Sequence, residues 1–142
     1  MIKISPFIIQ TEKQFQMIKI TEKVRNFVNE SGISNGIVVV ISMHTTTGIL
    51  VNEGLECVEA DIEENLENLF PDDAPYTHAH FLPTYGATGS NSPSHLKSML
   101  TGNNCMFVVM NGNLISGGAQ DIYFADYDGP KRRKIYIEVI GE

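Results

Sequence analysis

The chain contains no tryptophan, only two cysteines and no aliphatic run longer than the five residues from Ile37 to Ile41. A membrane-spanning helix needs about 20 consecutive apolar residues, so none is expected. Residues 1–10 also lack the apolar core and small-residue cleavage site of a secretory leader, which makes a cytoplasmic location the expectation. Cys57 and Cys105 have neither a CxxC spacing nor a disulfide framework around them, so reduced, mostly buried thiols are expected. Basic residues are scarce as well: 10 Lys and Arg face 17 Asp and Glu, a formal charge of -7. That balance argues against a surface built as an electrostatic sleeve for nucleic acid.

What is present suits one compact domain over residues 1–142, with 42% hydrophobic and 19% charged residues. Charge is segregated along it. No Lys or Arg occurs from Asn26 to Leu96, whereas Lys131, Arg132, Arg133 and Lys134 sit together near the end.

Residues 2–10 and 15–20 carry β-branched and aromatic side chains around a polar turn, which predicts an opening hairpin. Thr21 can cap a helix with Val24, Phe27 and Val28 on one face and Gly32 as its stop. Ile37 to Ile41 is apolar on both faces, as a central strand buried on both sides would be. Leu55, Val58, Ile62, Leu66 and Leu69 form a stripe at helical spacing that ends at Pro71, with acids on the other faces. Residues 72–91 predict a long irregular loop. Ser92-Pro93 predicts the start of a short helix that stops at Gly102. Strands are then expected at 106–110, 113–116, 122–124 and 135–140, with hairpin signals at Asn111-Gly112, Gly117-Gly118 and Asp128-Gly129. The fold class is α+β, with helices packed against antiparallel, sandwich-like sheets.

The histidines, His44, His78, His80 and His95, all fall in loops, after a strand or at a helix start. Imidazoles in such places can converge on a metal, or stand as separate surface or hydrogen-bonded residues. Thr45, Thr46 and Thr47 beside His44 can grip an oxyanion with neutral donors, or serve as ordinary strand and turn residues. The start of the short helix near Ser94 and His95 is a second place for an anion. Glu53 follows the next strand and is expected near His44, and Asp61 lies at the edge of the helical stripe. Arg133 can clamp a phosphate through both arms of its fork, with Lys131 beside it.

The ordered set Ser42-Met43-His44-Thr45-Thr46, Asn52-Glu53, Asp61, Pro71, Tyr76-Thr77-His78, Asn91, His95-Leu96, Gly102, Asn111-Gly112, Gly117, Gln120 and Asp128-Gly129-Pro130-Lys131-Arg132-Arg133 resembles the YjbQ-like family, also called secondary thiamine-phosphate synthases. The resemblance implies an α+β sandwich that assembles as a homotrimer. It also implies a pocket with His44, His78 and His95 as candidate ligands of a divalent metal, zinc or magnesium. Glu53, Asp61 and Arg133 become the catalytic candidates, and Thr45, Thr46, Asn91, Gln120, Lys131 and Arg133 the substrate-binding ones. The implied activity is a weak joining of a pyrimidine diphosphate to a thiazole phosphate with release of pyrophosphate. The alternative is a module that binds a metal or a phosphorylated metabolite without turning it over. This chain departs from the family pattern at Ala119, where a tryptophan is usual, at His80, where an acid is usual, and at Lys131, where arginine is usual.

Overall fold

The computed structural model describes residues 1–78 and 91–142. Its elements in order are β1 (Ile2–Gln10), β2 (Gln16–Lys19), α1 (Thr21–Glu30), β3 (Gly36–Ser42), β4 (Thr47–Glu53), α2 (Glu56–Leu69), α3 (Ser92–Thr101), β5 (Asn104–Met110), β6 (Asn113–Ile115), β7 (Gln120–Asp126) and β8 (Arg132–Gly141). The strands make two antiparallel sheets, one of five in the order β1-β8-β3-β5-β6 and one of three in the order β2-β7-β4. The fold is therefore α+β, as expected.

Period-two alternation assigns each sheet face. In β8 the inward positions Ile135, Ile137 and Val139 are fully buried, and Val38 and Val40 of β3 join them. From the smaller sheet Ile49, Ile122 and Phe124 meet this layer, and Val24 and Val28 of α1 close one end. This is the main core. The opposite face of the smaller sheet offers Ala125 and Tyr127 to Leu66 and Ile62 of α2.

Several local expectations change. The first two strands form no hairpin: β1 pairs with β8 from Ile2↔Ile140 to Gln10↔Arg132, whereas β2 pairs with β7 in the other sheet. The chain crosses between sheets near Thr11, whose N–H donates to the Lys131 carbonyl 3.0 Å away and whose hydroxyl donates to Asp126 Oδ2 at 2.7 Å. Gly117-Gly118 and Asp128-Gly129 likewise join strands of different sheets. Asn111-Gly112 is the true hairpin turn, with both residues at positive φ, 52° and 75°, between paired Met110 and Asn113.

The helix beginning at Thr21 has Ile20 at its N-cap, with no side-chain cap. The Thr21 hydroxyl instead donates to Asp121 Oδ1 at 2.6 Å and accepts the Ile122 N–H at 2.9 Å, binding the helix start to β7. In α2 only the middle of the stripe meets the sheet: Leu66 is buried, while Leu55 and Leu69 at its ends are exposed. β3 is central in its sheet, yet only Val38, Val40 and Ser42 are buried and Ile37, Val39 and Ile41 stay half-exposed.

Candidate functional site

α3 is pinned to β4 through its C-terminal end. The Ile49 N–H donates to the Gly102 carbonyl at 3.1 Å, and the Tyr127 hydroxyl donates to Thr101 Oγ1 at 2.9 Å. Gly48 permits this approach, because a Cβ there would stand 2.5 Å from Thr101 Oγ1 and 2.8 Å from the Tyr127 hydroxyl. The result is a cleft of about 390 Å³ between α3 and the segment joining β3 to β4. His44 and Thr45 line one side, and His95, Ser98 and Met99 the other. The rings of His78 and His95 meet edge-on, with centroids 5.7 Å apart. The structure thus brings His44 and His95 to one cleft and sets His78 against His95. His80 lies outside the described residues.

Charge near His44 is held by a buried ion pair between the two sheets. Arg133 of β8 donates through Nε to Asp126 Oδ2 at 2.9 Å and through Nη2 to Asp126 Oδ1 at 2.7 Å and Thr46 Oγ1 at 2.9 Å. Both members are almost wholly buried, Arg133 at 5% exposure and Asp126 at 0%. Burial alone would raise the Asp126 carboxyl, but Arg133, the Asp128 N–H and the Thr11 hydroxyl all favour its ionised form and bring it below the usual value. The guanidinium fork is thereby engaged by protein. The described hydrogen bonds of the guanidinium use Nε and Nη2.

His44 is fixed by the next residue along β8. The Lys134 N–H donates to His44 Nε2 at 2.8 Å. Burial, followed by the Arg133 charge, lowers the pKa of His44 below 6.5 against a smaller opposing pull from Asp126. The ring is held neutral, with its Nε2 lone pair in use.

The remaining candidates scatter. Strand β4 carries Glu53 to its far end, opposite Gln120, whereas Thr47 at its near end faces Asp126. Six residues at about 3.3 Å each put Glu53 roughly 20 Å from that end, so it does not approach His44. Gln120 accepts the Gly117 N–H at 2.8 Å. Asp61 is exposed on α2, where its backbone carbonyl accepts a bond from Asn65. Asn91 donates to Asp128 at 3.2 Å, and its buried Oδ1 has no partner. Lys131 Nζ is bonded to the Asp128 carbonyl and carboxylate.

Asp126 escaped the sequence reading, although a signal was present: a lone carboxylate ending the apolar run Ile122 to Ala125 needs a buried partner. Lys97, 3% exposed and paired with Glu67 at 2.5 Å, was missed as well. A second cleft, of about 290 Å³, lies between β2 and α2 and is lined by Glu56, Glu59 and Glu63. It contains none of the histidines.

A three-histidine metal centre does not fit these positions. Among the described residues, no three of His, Cys, Asp and Glu stand close enough to hold an ion. A ligand must offer a free lone pair, and that of His44 Nε2 already accepts the Lys134 N–H.

Residues 5–142 match the family model described as UPF0047 protein YjbQ-like. The chain belongs to the YjbQ-like family. Among its members, a UPF0047 protein of Methanothermobacter thermautotrophicus is 37% identical, over 94% of this chain and 89% of the relative. Bacillus subtilis YugU is 35% identical over 94% and 96%. A family structure from Clostridium acetobutylicum superposes with a TM-score of 0.86 at 36% identity, covering 96% of this chain and 99% of that one. A Sulfolobus solfataricus protein, described as YbjQ-like and of unknown function, gives 0.90 at 27% identity over 100% and 99%. The family fixes the fold and leaves the chemistry to be argued from the cleft.

Proposed function

We propose that the His44–His95 cleft binds a small phosphorylated metabolite. The observation that carries this reading is the convergence of His44, Thr45, His95 and Ser98 on one cavity beside the Arg133–Asp126 pair. Neutral N–H and O–H donors on rigid elements, with the positive charge of a guanidinium nearby, are what a phosphate oxygen needs.

The reaction to test is formation of thiamine phosphate. In it, the C–O bond between the pyrimidine methylene and its diphosphate breaks, and the electron pair leaves with pyrophosphate. The thiazole nitrogen then bonds to that carbon. No redox partner is required. The protein's task is to stabilise charge growing on the departing oxygens and to hold the two rings in line. Divalent zinc or magnesium would help neutralise pyrophosphate, but among the described residues no three of His, Cys, Asp and Glu are grouped to hold such an ion, so no step is assigned to it. Pyrophosphate release from a mixture of the pyrimidine diphosphate and thiazole phosphate tests the reading. Turnover lost in His95→Ala supports the enzyme. Binding without turnover supports the non-catalytic module, and the absence of both binding and turnover would overturn the phosphate site.

We also infer that copies of this chain meet through the outer face of the five-stranded sheet, as a homotrimer. Ile2, Ile4, Met106, Val108, Met110, Ile115 and Ile140 are all exposed on it. Five strands spaced about 4.8 Å and some six residues long make a patch of roughly 24 by 20 Å, near 480 Å² in projection. Such a patch matches the largest apolar patch of a typical monomer, which is often functional, and suits a share of a standard interface of about 800 Å² per partner. A second copy is the fitting occupant because the acids of α2 lie on the other side of the sandwich. On the sheet face itself, Glu138 is the only acid among the described residues, and Lys134 is there to oppose it in a neighbour. Sedimentation of Val108→Lys should show a folded monomer; an unchanged assembly would sink the inference.

A further inference from the structure

His44 lies in the cleft, but its hydrogen bonding is incompatible with a metal ligand and specifies another role. A backbone N–H can only donate, so the nitrogen that receives it bears no proton. With the Lys134 N–H on Nε2 at 2.8 Å, the neutral ring must carry its proton on Nδ1. This is the less common tautomer of a free imidazole, held by its partner as a fixed second contact sets any histidine. Nδ1 has no acceptor among the described hydrogen bonds and is not among the buried orphaned atoms, so its N–H is left for the cleft that His44 lines. Lys134 is part of the same strand as Arg133, so one stretch of β8 both orients the imidazole and carries the cation whose charge acts on it.

We propose that His44 is a ligand-positioning hydrogen-bond donor, locked as the Nδ1–H tautomer by the Lys134 backbone and presenting that proton to a phosphate oxygen of the bound metabolite. The proposal rests on the phosphate reading of the cleft for its ligand, but not for its tautomer. A donor that cannot swap ends selects for an acceptor at one place, so a guest with an ammonium or amide N–H there would meet donor against donor. Staying neutral, His44 can donate in this way without competing with the Arg133 charge.

Two measurements test it. In the ligand-free protein at pH 7.5, ring nitrogen NMR should show the Nδ1-protonated pattern for one histidine, whose signals vanish in His44→Gln. An Nε2-protonated or averaged pattern overturns the proposal. Inorganic pyrophosphate is then titrated into wild type, His44→Asn and His44→Gln by calorimetry. The amide N–H of Asn occupies the place of Nδ1–H, whereas Gln restores the acceptor at Nε2 and removes the donor. Asn should bind pyrophosphate within about 3-fold of wild type and Gln about 10-fold more weakly, the loss of one hydrogen bond. Thermal stability should move the other way, with Gln near wild type and Asn lowered, since only Asn abandons the Lys134 N–H. Equal pyrophosphate affinity for both variants would show a purely structural histidine and overturn the proposal. A wild type that keeps the tautomer yet ignores pyrophosphate would sink the phosphate reading and leave the tautomer assignment standing.

Discussion

The two sheets use the same apolar alphabet under different cover. In the three-stranded sheet, β7 is buried from Ile122 to Asp126, because one face meets the main core and the other meets α2. In the five-stranded sheet, β5 alternates, with Phe107 and Val109 inside and Met106, Val108 and Met110 exposed. Burial on both faces is thus a property of what lies above a strand. The polar groups follow the same division. Asp126 and Arg133 sit between the sheets, where each must be matched, and Thr46, bonded to Arg133, adjoins the Thr45 that lines the cleft.

The contrast breaks most severely at the pair that joins the sheets. Asp126→Ala leaves Arg133 buried without its counter-charge and should cost about 3–5 kcal/mol in urea unfolding. Next comes a test of the two faces of one strand. Ile137→Ala, inside β8, should cost about 2–5 kcal/mol, whereas Ile140→Ala on the bare face should change unfolding of the separated chain by no more than about 0.5 kcal/mol. Equal losses would mean that the outer face is covered within the monomer. Gly48→Ala should cost about 1–3 kcal/mol by overpacking against Thr101 and Tyr127, and, because it displaces α3, should weaken pyrophosphate binding as well. A Tyr127→Phe change removes only the bond to Thr101 and should cost about 1 kcal/mol.

The smallest effect is in the pH dependence. His44 has a folded value below its usual 6.5, so the unfolded chain takes up the proton first. Its contribution to stability is complete above about pH 6.5 and is lost as pH falls through the folded value. Unfolding midpoints measured from pH 8 to 5 should decline, and less so in His44→Gln. Asp126 adds a separate loss further down. Its folded value lies below 3.8, so its stabilisation holds above that pH and disappears as the solution becomes more acidic than the folded value.

Much of the secondary structure was legible because it rests on local chemistry. The stop at Gly102, with φ of 83°, and the Asn111-Gly112 turn depend on residues within a few positions. Strand partners were not legible in the same way. Residues 2–10 are apolar enough to pair with the neighbouring run, yet their partner is 132–141, chosen by packing across the whole chain. His44 and His95 were placed in one cleft from residue type and family pattern, but the Nε2 bond to the Lys134 backbone left no trace in side-chain identity, because any non-proline residue at 134 supplies that N–H. Glu53 was expected beside His44 because it is near in sequence, and an extended strand then carried it away.

The place of β8 between β1 and β3 has a consequence for biosynthesis. A chain emerging in order presents β1 and β3 long before residues 132–141 exist to lie between them. Until that segment leaves the ribosome, two apolar strands have open edges, His44 has no Lys134 to hold it and Asp126 has no arginine. Stalled or prematurely terminated products therefore lack the cleft and expose sticky strands together, so quality control that removes such fragments also removes every nascent form without a working site.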